Sequence, residues 1–505
     1  MTATNDTAAT HAATTAPTAL AGPTDTATTA TTETAATHAA TTAPTALAGP
    51  TDTAEPQLAA PVRDAVALVA ERLADPERVA AVASRDDNRD PIYGAVMWGP
   101  LTLANGLPGT ALLYGELARA DEAWRPLAHR HLAAAGRAMN SAPSRGLFSG
   151  PAALLAAAQT SAGPEGHYAS LRRRLAAWVA EEQTERLRAF EERAATGAQG
   201  VDWAAYDLIN GLSGTTRLLL DSAADPAESG PEVEAALTAS LRHLVRLTEP
   251  VRIGGHDVPG WWVPVELQIS ERDGRDYPRG DLNLGMAHGI AGPLTVLCVA
   301  HRAGRTEPGT ADAVRRIADW LLGWTLQDEA GPYWPARVPW EAEVAAERPR
   351  ELFTRTAWCY GTPGVAAALH RAGQTLDRAD WRSAAVEGLR AALRRDESKW
   401  AIEGATVCHG FAGLLRIVSR IAEAADDAEL RGGCARLTDK VLQCADEQAP
   451  FGFRHLMRFP AAARSPVPHR AVDTAGMLEG AAGVALSLLP VLDEPLPWDR
   501  TLGLA

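Results

Sequence analysis

The strings WCYGTPG at positions 358–364 and TVCHGFAG at positions 406–413 each contain a Gly-x-x-Gly motif that opens an alanine- and leucine-rich segment. The same motif opens similar segments elsewhere, and one of its seven occurrences is degenerate. They are GLPG 106–109, GPAA 150–153, GLSG 211–214, GIAG 289–292, GTPG 361–364, GFAG 410–413 and GAAG 480–483. Seven copies of one local pattern indicate a repeat architecture within a single domain.

Two kinds of helix alternate through these repeats. Each glycine motif is followed by a helix of small residues whose mild hydrophobicity on all sides implies burial. Between them lie charged segments with apolar residues at helical spacing, which predict amphipathic helices. These segments are 61–84, 117–139, 169–194, 232–247, 311–326, 379–395 and 426–444. Because seven such pairs close most economically into two concentric rings, the predicted fold is all-α: an α/α toroid of seven inner and seven outer helices.

Two regions depart from the repeat. Residues 1–56 are almost wholly Ala, Thr, Pro, Gly and Asp and contain one string twice, 27 positions apart, beginning at Thr10 and at Thr37. This composition predicts a disordered tail, with the folded domain spanning 57–505. Residues 249–284 predict a small irregular or β-like insertion, either a cover over one mouth of the toroid or a surface loop.

The composition excludes several classes of function. The chain has 505 residues and a net charge of -14, which argues against a nucleic-acid partner. It contains neither a secretory signal nor an apolar run of the roughly 18 residues that a membrane span needs. Its five cysteines are odd in number and irregularly spaced, which favours a reducing compartment and predicts a cytoplasmic protein.

The repeat register aligns three residues that could bind a metal. Cys359 and Cys408 both lie two positions before the first glycine of their repeats, and His409 lies one position before. Equivalent positions in a ring face the same mouth. Two thiolates and one imidazole suit Zn²⁺, and three protein ligands leave a position for water or substrate. The alternative is that the cysteines are small buried hydrophobic residues.

The same register predicts that further polar residues converge on this mouth. His288 and Tyr360 lie one position before a repeat glycine, and Asp207 lies four before. His288 is either functional or a core histidine bonded to a backbone carbonyl. For Asp207 and Arg355 the alternative is a helix cap or a surface ion pair.

At these motifs the sequence resembles the lanthipeptide synthetase cyclase family, LanC, from the Gly106 repeat to the Gly483 repeat. The resemblance implies an α/α toroid with one zinc ion at a mouth, in agreement with the repeat count. It also assigns roles to the aligned residues. These are Cys359, Cys408 and His409 as zinc ligands, His288 and Asp207 as acid–base residues, and Arg355 and Tyr360 as residues lining the site.

The resemblance further implies a reaction and partners. The reaction is Michael-type addition of a peptide cysteine thiol to dehydroalanine or dehydrobutyrine, which closes a lanthionine or methyllanthionine ring. Zinc would lower the thiol pKa from about 8.5, so that the thiolate is available at neutral pH. The substrate would be a dehydrated precursor peptide, and a separate dehydratase and an export transporter are the implied partners. The chain thus resembles a stand-alone, class I type cyclase.

Two other functions remain open from the sequence. One is a LanC-like zinc protein that adds glutathione or another thiol to an electrophile. The other is a metal-free α/α toroid such as a glycosidase or a binding scaffold. A glycosidase needs paired carboxylates at the mouth, where the aligned positions hold Cys and His instead.

We expect deletion of residues 1–56 to leave folding and zinc content unchanged, because this segment has too little bulky apolar surface to offset the entropy of ordering it. Thermal denaturation and elemental analysis of the truncated and full-length chains test this expectation. A cooperative loss of thermal stability in the truncated chain would contradict it.

Overall fold

The computed structural model describes residues 56–91, 94–139, 146–268, 270–345, 348–458, 469–489 and 497–505. The prediction of a mostly helical chain is confirmed. The helices are α1 (Pro56–Leu73), α2 (Pro76–Ala83), α3 (Leu107–Ala120), α4 (Arg125–Arg137), α5 (Gly150–Thr160), α6 (Ala169–Ala195), α7 (Leu212–Ala224), α8 (Pro231–Leu247), α9 (Glu271–Asp276), α10 (Ala291–Arg302), α11 (Thr310–Gly323), α12 (Trp340–Glu343), α13 (Thr362–Thr375), α14 (Ala379–Arg394), α15 (Phe411–Ala424), α16 (Ala428–Gln443) and α17 (Ala481–Leu488). Among them, none combines the length and apolar character needed to cross a lipid bilayer.

Short strands form four two-stranded antiparallel sheets in the described ranges. The strands are β1 (Val251–Ile253), β2 (His256–Val258), β3 (Asp281–Asn283), β4 (Leu326–Asp328), β5 (Gly331–Tyr333), β6 (Arg337–Pro339), β7 (His455–Arg458) and β8 (His469–Val472). The pairs are β1 with β2, β3 with β6, β4 with β5, and β7 with β8. The β1–β2 hairpin lies in the insertion, as its Gly254-Gly255 turn predicts. Strand β3 ties the end of the insertion to β6.

Seven of the described helices begin at the glycine motifs: α3, α5, α7, α10, α13, α15 and α17. They are buried on nearly every side, and in α5 every residue except Gln159 is buried. The intervening helices are amphipathic. In α11 the buried residues Thr310, Ala313, Val314 and Ile317 follow the helical spacing that places them on one face.

The glycine-initiated helices contact one another in sequence order. Helix α3 packs against α5, α5 against α7, α7 against α10, α10 against α13, α13 against α15 and α15 against α17, and α17 returns to α3. Each also has one amphipathic helix against which it packs most extensively. These second pairs are α3 with α4, α5 with α6, α7 with α8, α10 with α11, α13 with α14, α15 with α16, and α17 with α1.

Backbone hydrogen bonds link the loops that precede these seven helices. We call this set the loop belt. From donor N to acceptor O, its bonds are Leu103 to Phe148 (3.0 Å), Phe148 to Ile209 (3.4 Å), Leu208 to Ala287 (3.1 Å), Ala287 to Cys359 (3.3 Å), Cys359 to Cys408 (3.2 Å), Cys408 to Leu478 (2.9 Å) and Leu478 to Ala104 (3.2 Å). The last bond returns to the first loop, so every loop is held by both of its neighbours.

Three predicted helix boundaries were wrong. The segment 61–84 is two helices, because Pro76 lacks the N–H that would continue α1 and Asp75 caps α2 instead. The segment 117–139 is divided between α3 and α4 by the turn at Asp121, whose side chain accepts a hydrogen bond from Ala123 N. The segment 311–326 ends as a helix at Gly323, because Leu326 pairs with Tyr333 in a sheet.

The predicted tail, residues 1–56, lies outside the described residues except for Pro56, where α1 begins, and stays a prediction.

A buried carboxyl group on α3 makes stability depend on pH. Glu116 is buried, and its Oε1 accepts a hydrogen bond from Trp498 N at 2.6 Å. Burial raises the pKa of Glu116 to about 7, although the nearby charge of Arg119 opposes this shift. The folded state therefore retains this proton at pH values where the unfolded chain has already released it. Consequently, the free energy of unfolding falls as pH rises from about 4.5 to about 7.

We expect Glu116→Gln to remove this fall, because the amide cannot ionise and keeps an oxygen for Trp498 N. Relative to the parent, the variant should gain stability between pH 5 and pH 8, by at most about 3 kcal/mol. Urea denaturation across this range measures the gain. Glu185→Gln on the exposed face of α6 is the control and should follow the parent. A stability gap for Glu116→Gln that does not grow with pH would contradict the expectation.

The glycine that begins α13 is sterically required. Gly361 has φ +86°, and a Cβ built there would lie 1.8 Å from the carbonyl oxygen of Arg355. We expect Gly361→Ala to lower the free energy of unfolding by about 2–5 kcal/mol. Gly432→Ala, in α16 with open space around it, should be neutral or stabilising by about 0.5–1 kcal/mol. Chemical denaturation of both variants gives the comparison, and parental stability for Gly361→Ala would refute the steric argument.

Candidate metal centre

The loops before α13 and α15 bring three potential metal ligands together. The two Sγ atoms of Cys359 and Cys408 and a ring nitrogen of His409 all lie within 4.8 Å of one another. The loop belt explains this proximity, because Cys359 N donates directly to Cys408 O. All five cysteines are free thiols, and the other three stand outside this group.

The electrostatics of the cluster favour one thiolate and resist a second. A hydrogen bond from Cys408 holds the pKa of Cys359 well below its usual range, and His409 reinforces the effect. The same hydrogen bond, together with burial, raises the pKa of Cys408 well above its usual range. Burial alone would lower the pKa of His409, but its hydrogen bond to Cys359 and the sulfur's charge raise it. Two buried sulfurs that repel a second negative charge suit a divalent cation, which would stabilise both thiolates.

The donor set also fits a particular metal. Two soft sulfurs and an imidazole are the donors that zinc takes in proteins, and a fourth position stays available when the protein supplies three. A second group, Glu122, Glu165 and His167, also lies within ligand distance but is largely exposed. Both carboxylate oxygens of Glu122 already bind Arg125, so this second group fits a metal less well.

A carboxylate–imidazole pair lies in the neighbouring loops. His288 Nδ1 and Asp207 Oδ2 are 2.5 Å apart, although the residues are separated by 81 positions in the chain. Asp207 is fully buried, and its Oδ1 accepts hydrogen bonds from Asn210 N at 2.7 Å and Gly211 N at 2.5 Å. The carboxylate is therefore fixed by the backbone at the start of α7. His288 is 22% exposed, and because Nδ1 is engaged, Nε2 is the nitrogen left for an outside group.

The loop belt joins this pair to the cysteine cluster. Leu208 and Ala287, the chain neighbours of Asp207 and His288, are bonded to each other, and Ala287 N also donates to Cys359 O. The Tyr360 ring lies 6.4 Å from the His288 ring, centroid to centroid. The predicted metal ligands and the predicted acid–base residues are thus brought to one place.

Tyr360 and Arg355 contribute charge and polarity to this place. Burial raises the pKa of Tyr360 above its usual value, so the hydroxyl keeps its proton at neutral pH. The positive charge of Arg355 adds to the effects that favour the thiolate forms of Cys359 and Cys408. Both residues therefore lie close enough to influence the cysteine cluster, as the family resemblance implied.

Two aromatic residues at the site were missed by sequence reasoning. Trp203 stacks on His288, with ring centroids 5.0 Å apart and planes inclined by 23°. His455 of β7 meets the His409 ring edge-on at 5.4 Å. Trp203 lies only four positions before Asp207, a proximity that could have identified it. His455 lies outside the repeat register, and it is not close in sequence to any of the predicted site residues.

Comparison with known proteins agrees with this geometry. The family model described as "Lanthionine synthetase C-like protein" matches residues 97–502. The nisin biosynthesis protein NisC of Lactococcus lactis subsp. lactis is 26% identical over 337 residues, which cover 64% of this chain and 74% of that protein. The structure of a nisin cyclase superposes with a TM-score of 0.64 at 21% identity, covering 88% of this chain and 97% of that one, and therefore shows a shared fold. The chain belongs to the lanthionine synthetase C-like family.

Proposed function

We propose that this protein is a zinc-dependent lanthipeptide cyclase. It adds the thiol of a peptide cysteine to dehydroalanine or dehydrobutyrine and so forms a lanthionine or methyllanthionine ring. The observation that carries the proposal is the meeting of the Cys359–Cys408–His409 cluster with the Asp207–His288 pair in a member of this family. The similarity to the nisin biosynthesis protein NisC supports the same reaction class.

For the fold, we propose an α/α toroid of seven inner and seven outer helices. The order in which the glycine-initiated helices contact one another, with α17 back against α3, supports an inner ring. The amphipathic helix that packs on each of them supports an outer ring. The proposed domain spans residues 57–505, preceded by the tail 1–56.

The proposed metal ligands are Cys359, Cys408 and His409. When bound, zinc would lower the pKa of a substrate thiol and so supply the thiolate nucleophile. The donor chemistry and the mutual distances of the three side chains support this assignment.

The protein's own residues then handle the charge and the proton of the addition. As the new carbon–sulfur bond forms at the β-carbon of the dehydro residue, the double-bond electrons move to the α-carbon and its carbonyl, giving an enolate. We assign Arg355 to stabilise the enolate oxygen and His288 to deliver a proton from Nε2 to the α-carbon. The buried carboxylate of Asp207 bonds to Nδ1 and so orients the imidazole with Nε2 towards the substrate. Tyr360 lines the site beside His288.

The proposed substrate and partners follow from this reaction. The substrate is a precursor peptide that already contains dehydrated Ser or Thr residues, so a separate dehydratase must act first. An export transporter for the finished peptide is the further partner. We propose a cytoplasmic location, where reducing conditions keep the two cluster thiols free.

We expect purified protein to contain about one zinc ion per chain, and Cys408→Ala to lose zinc and ring closure together. His288→Asn should keep its zinc and its fold but lose ring closure by about 10²- to 10⁴-fold, because only the proton donor is removed. Elemental analysis measures the metal. Mass spectrometry after thiol alkylation counts the cysteines left outside rings in a dehydrated peptide.

Cys434→Ala is the matched control, because this cysteine stands outside the cluster, and it should keep both zinc and activity. Loss of zinc in this control, with zinc retained in Cys408→Ala, would refute the ligand assignment. If His288→Asn closed rings at the parental rate, His288 would be excluded as the proton donor. If the protein adds glutathione to small electrophiles but closes no peptide rings, that result would favour the alternative function.

A further inference from the structure

We propose that Trp203 is a positioning residue for His288, and that the insertion at residues 249–284 acts on the reaction by fixing Trp203. This inference rests on the proposed function and deepens it. It concerns how the imidazole is held at the orientation needed for proton delivery.

One turn supplies both of the contacts that hold the imidazole. Trp203 O accepts hydrogen bonds from Tyr206 N at 3.0 Å and from Asp207 N at 2.8 Å, so the turn closes on the tryptophan itself. The Trp203 ring stacks on His288, while the Asp207 carboxylate bonds to Nδ1. A single hydrogen bond fixes one edge of an imidazole but leaves the ring free to rock about that bond. Stacking against a flat indole restricts this second motion.

Ring contacts determine where the indole lies. Its Nε1 is buried and has no hydrogen-bond partner among the described residues. The guanidinium carbon of Arg337 lies 5.2 Å from the Trp203 ring centroid and 4.1 Å from that of Tyr277. A cation near an aromatic face stabilises the ring in place, more strongly where water is excluded.

The insertion in turn fixes Arg337. The Arg337 guanidinium bonds to Asp281 through Nη2, 2.8 Å from Oδ1, and through Nε, 2.5 Å from Oδ2. Its Nη1 is 2.6 Å from Asp273 Oδ1. The Arg337 side chain is only 9% exposed, and Asp281 is fully buried. Both acidic residues and Tyr277 belong to the insertion, whereas Arg337 begins β6. A continuous set of contacts therefore runs from the insertion through Arg337 and Trp203 to His288.

The test uses variants of Trp203 assayed on a dehydrated peptide with one cysteine and one dehydroalanine. We expect Trp203→Leu to keep its zinc and its KM while kcat falls about 10- to 100-fold, because a slightly misplaced proton donor still allows binding. Trp203→Phe keeps an aromatic face and should recover most of the parental kcat.

Trp340→Leu is the matched control. Trp340 likewise lies against an arginine, with Arg279 3.4 Å from its ring centroid, and it packs on His256 in the insertion rather than on His288. The Trp340→Leu variant loses an aromatic contact comparable to the one that Trp203→Leu loses, and it should keep the parental kcat. We expect Trp340→Leu to leave the contact between Arg337 and Trp203 in place, because the Trp340 ring packs on Arg279 and His256.

Three results would overturn the inference: a parental kcat in Trp203→Leu, an equal loss in the Leu and Phe variants of Trp203, or an equal loss in Trp340→Leu. Failure of the proposed function is distinguishable from these, because the parental protein would then close no rings in the dehydrated peptide. If His288→Asn and Cys408→Ala are impaired and Trp203→Leu is not, the positioning role alone is wrong.

Discussion

The backbone hydrogen bonds of the loop belt are the constraint on which the site depends. Each of the seven loops ahead of a glycine-initiated helix is bonded to the loop before and the loop after it. Side chains near the repeat glycines of neighbouring loops are therefore brought close together, however far apart they lie in sequence. The belt bonds next to Asp207, His288 and Cys359 bring the Asp207–His288 pair close to the sulfur cluster.

This constraint explains what the sequence could predict. The repeat glycines mark where each glycine-initiated helix begins, so counting back from them found Cys359, Cys408, His409 and His288. Register cannot identify partners that approach from outside the repeat. Arg337 reaches the site from a strand that pairs across the insertion, and such pairing depends on tertiary contacts that leave no local pattern. The helix limits at Pro76 and Gly323 were missed because apolar spacing continues past the residues that end each helix.

The site separates two electrostatic tasks. Around the sulfurs, burial and repulsion resist a second thiolate and so favour an added cation. Around His288, a buried carboxylate fixed by backbone amides sets the orientation of the imidazole. Because the two environments are adjacent but distinct, the proposed activation of the nucleophile and the proposed delivery of the proton need not compete for one residue.

The last bond of the belt also has a consequence for how the chain is made. Leu478 N bonds to Ala104 O, and Trp358 Nε1 donates to Leu502 O at 2.9 Å, so contacts at the site span up to several hundred residues. During synthesis on a ribosome, the earlier repeats must wait with their alanine-rich faces uncovered until the seventh emerges. Non-local closure of this kind slows folding and prolongs exposure of apolar surface.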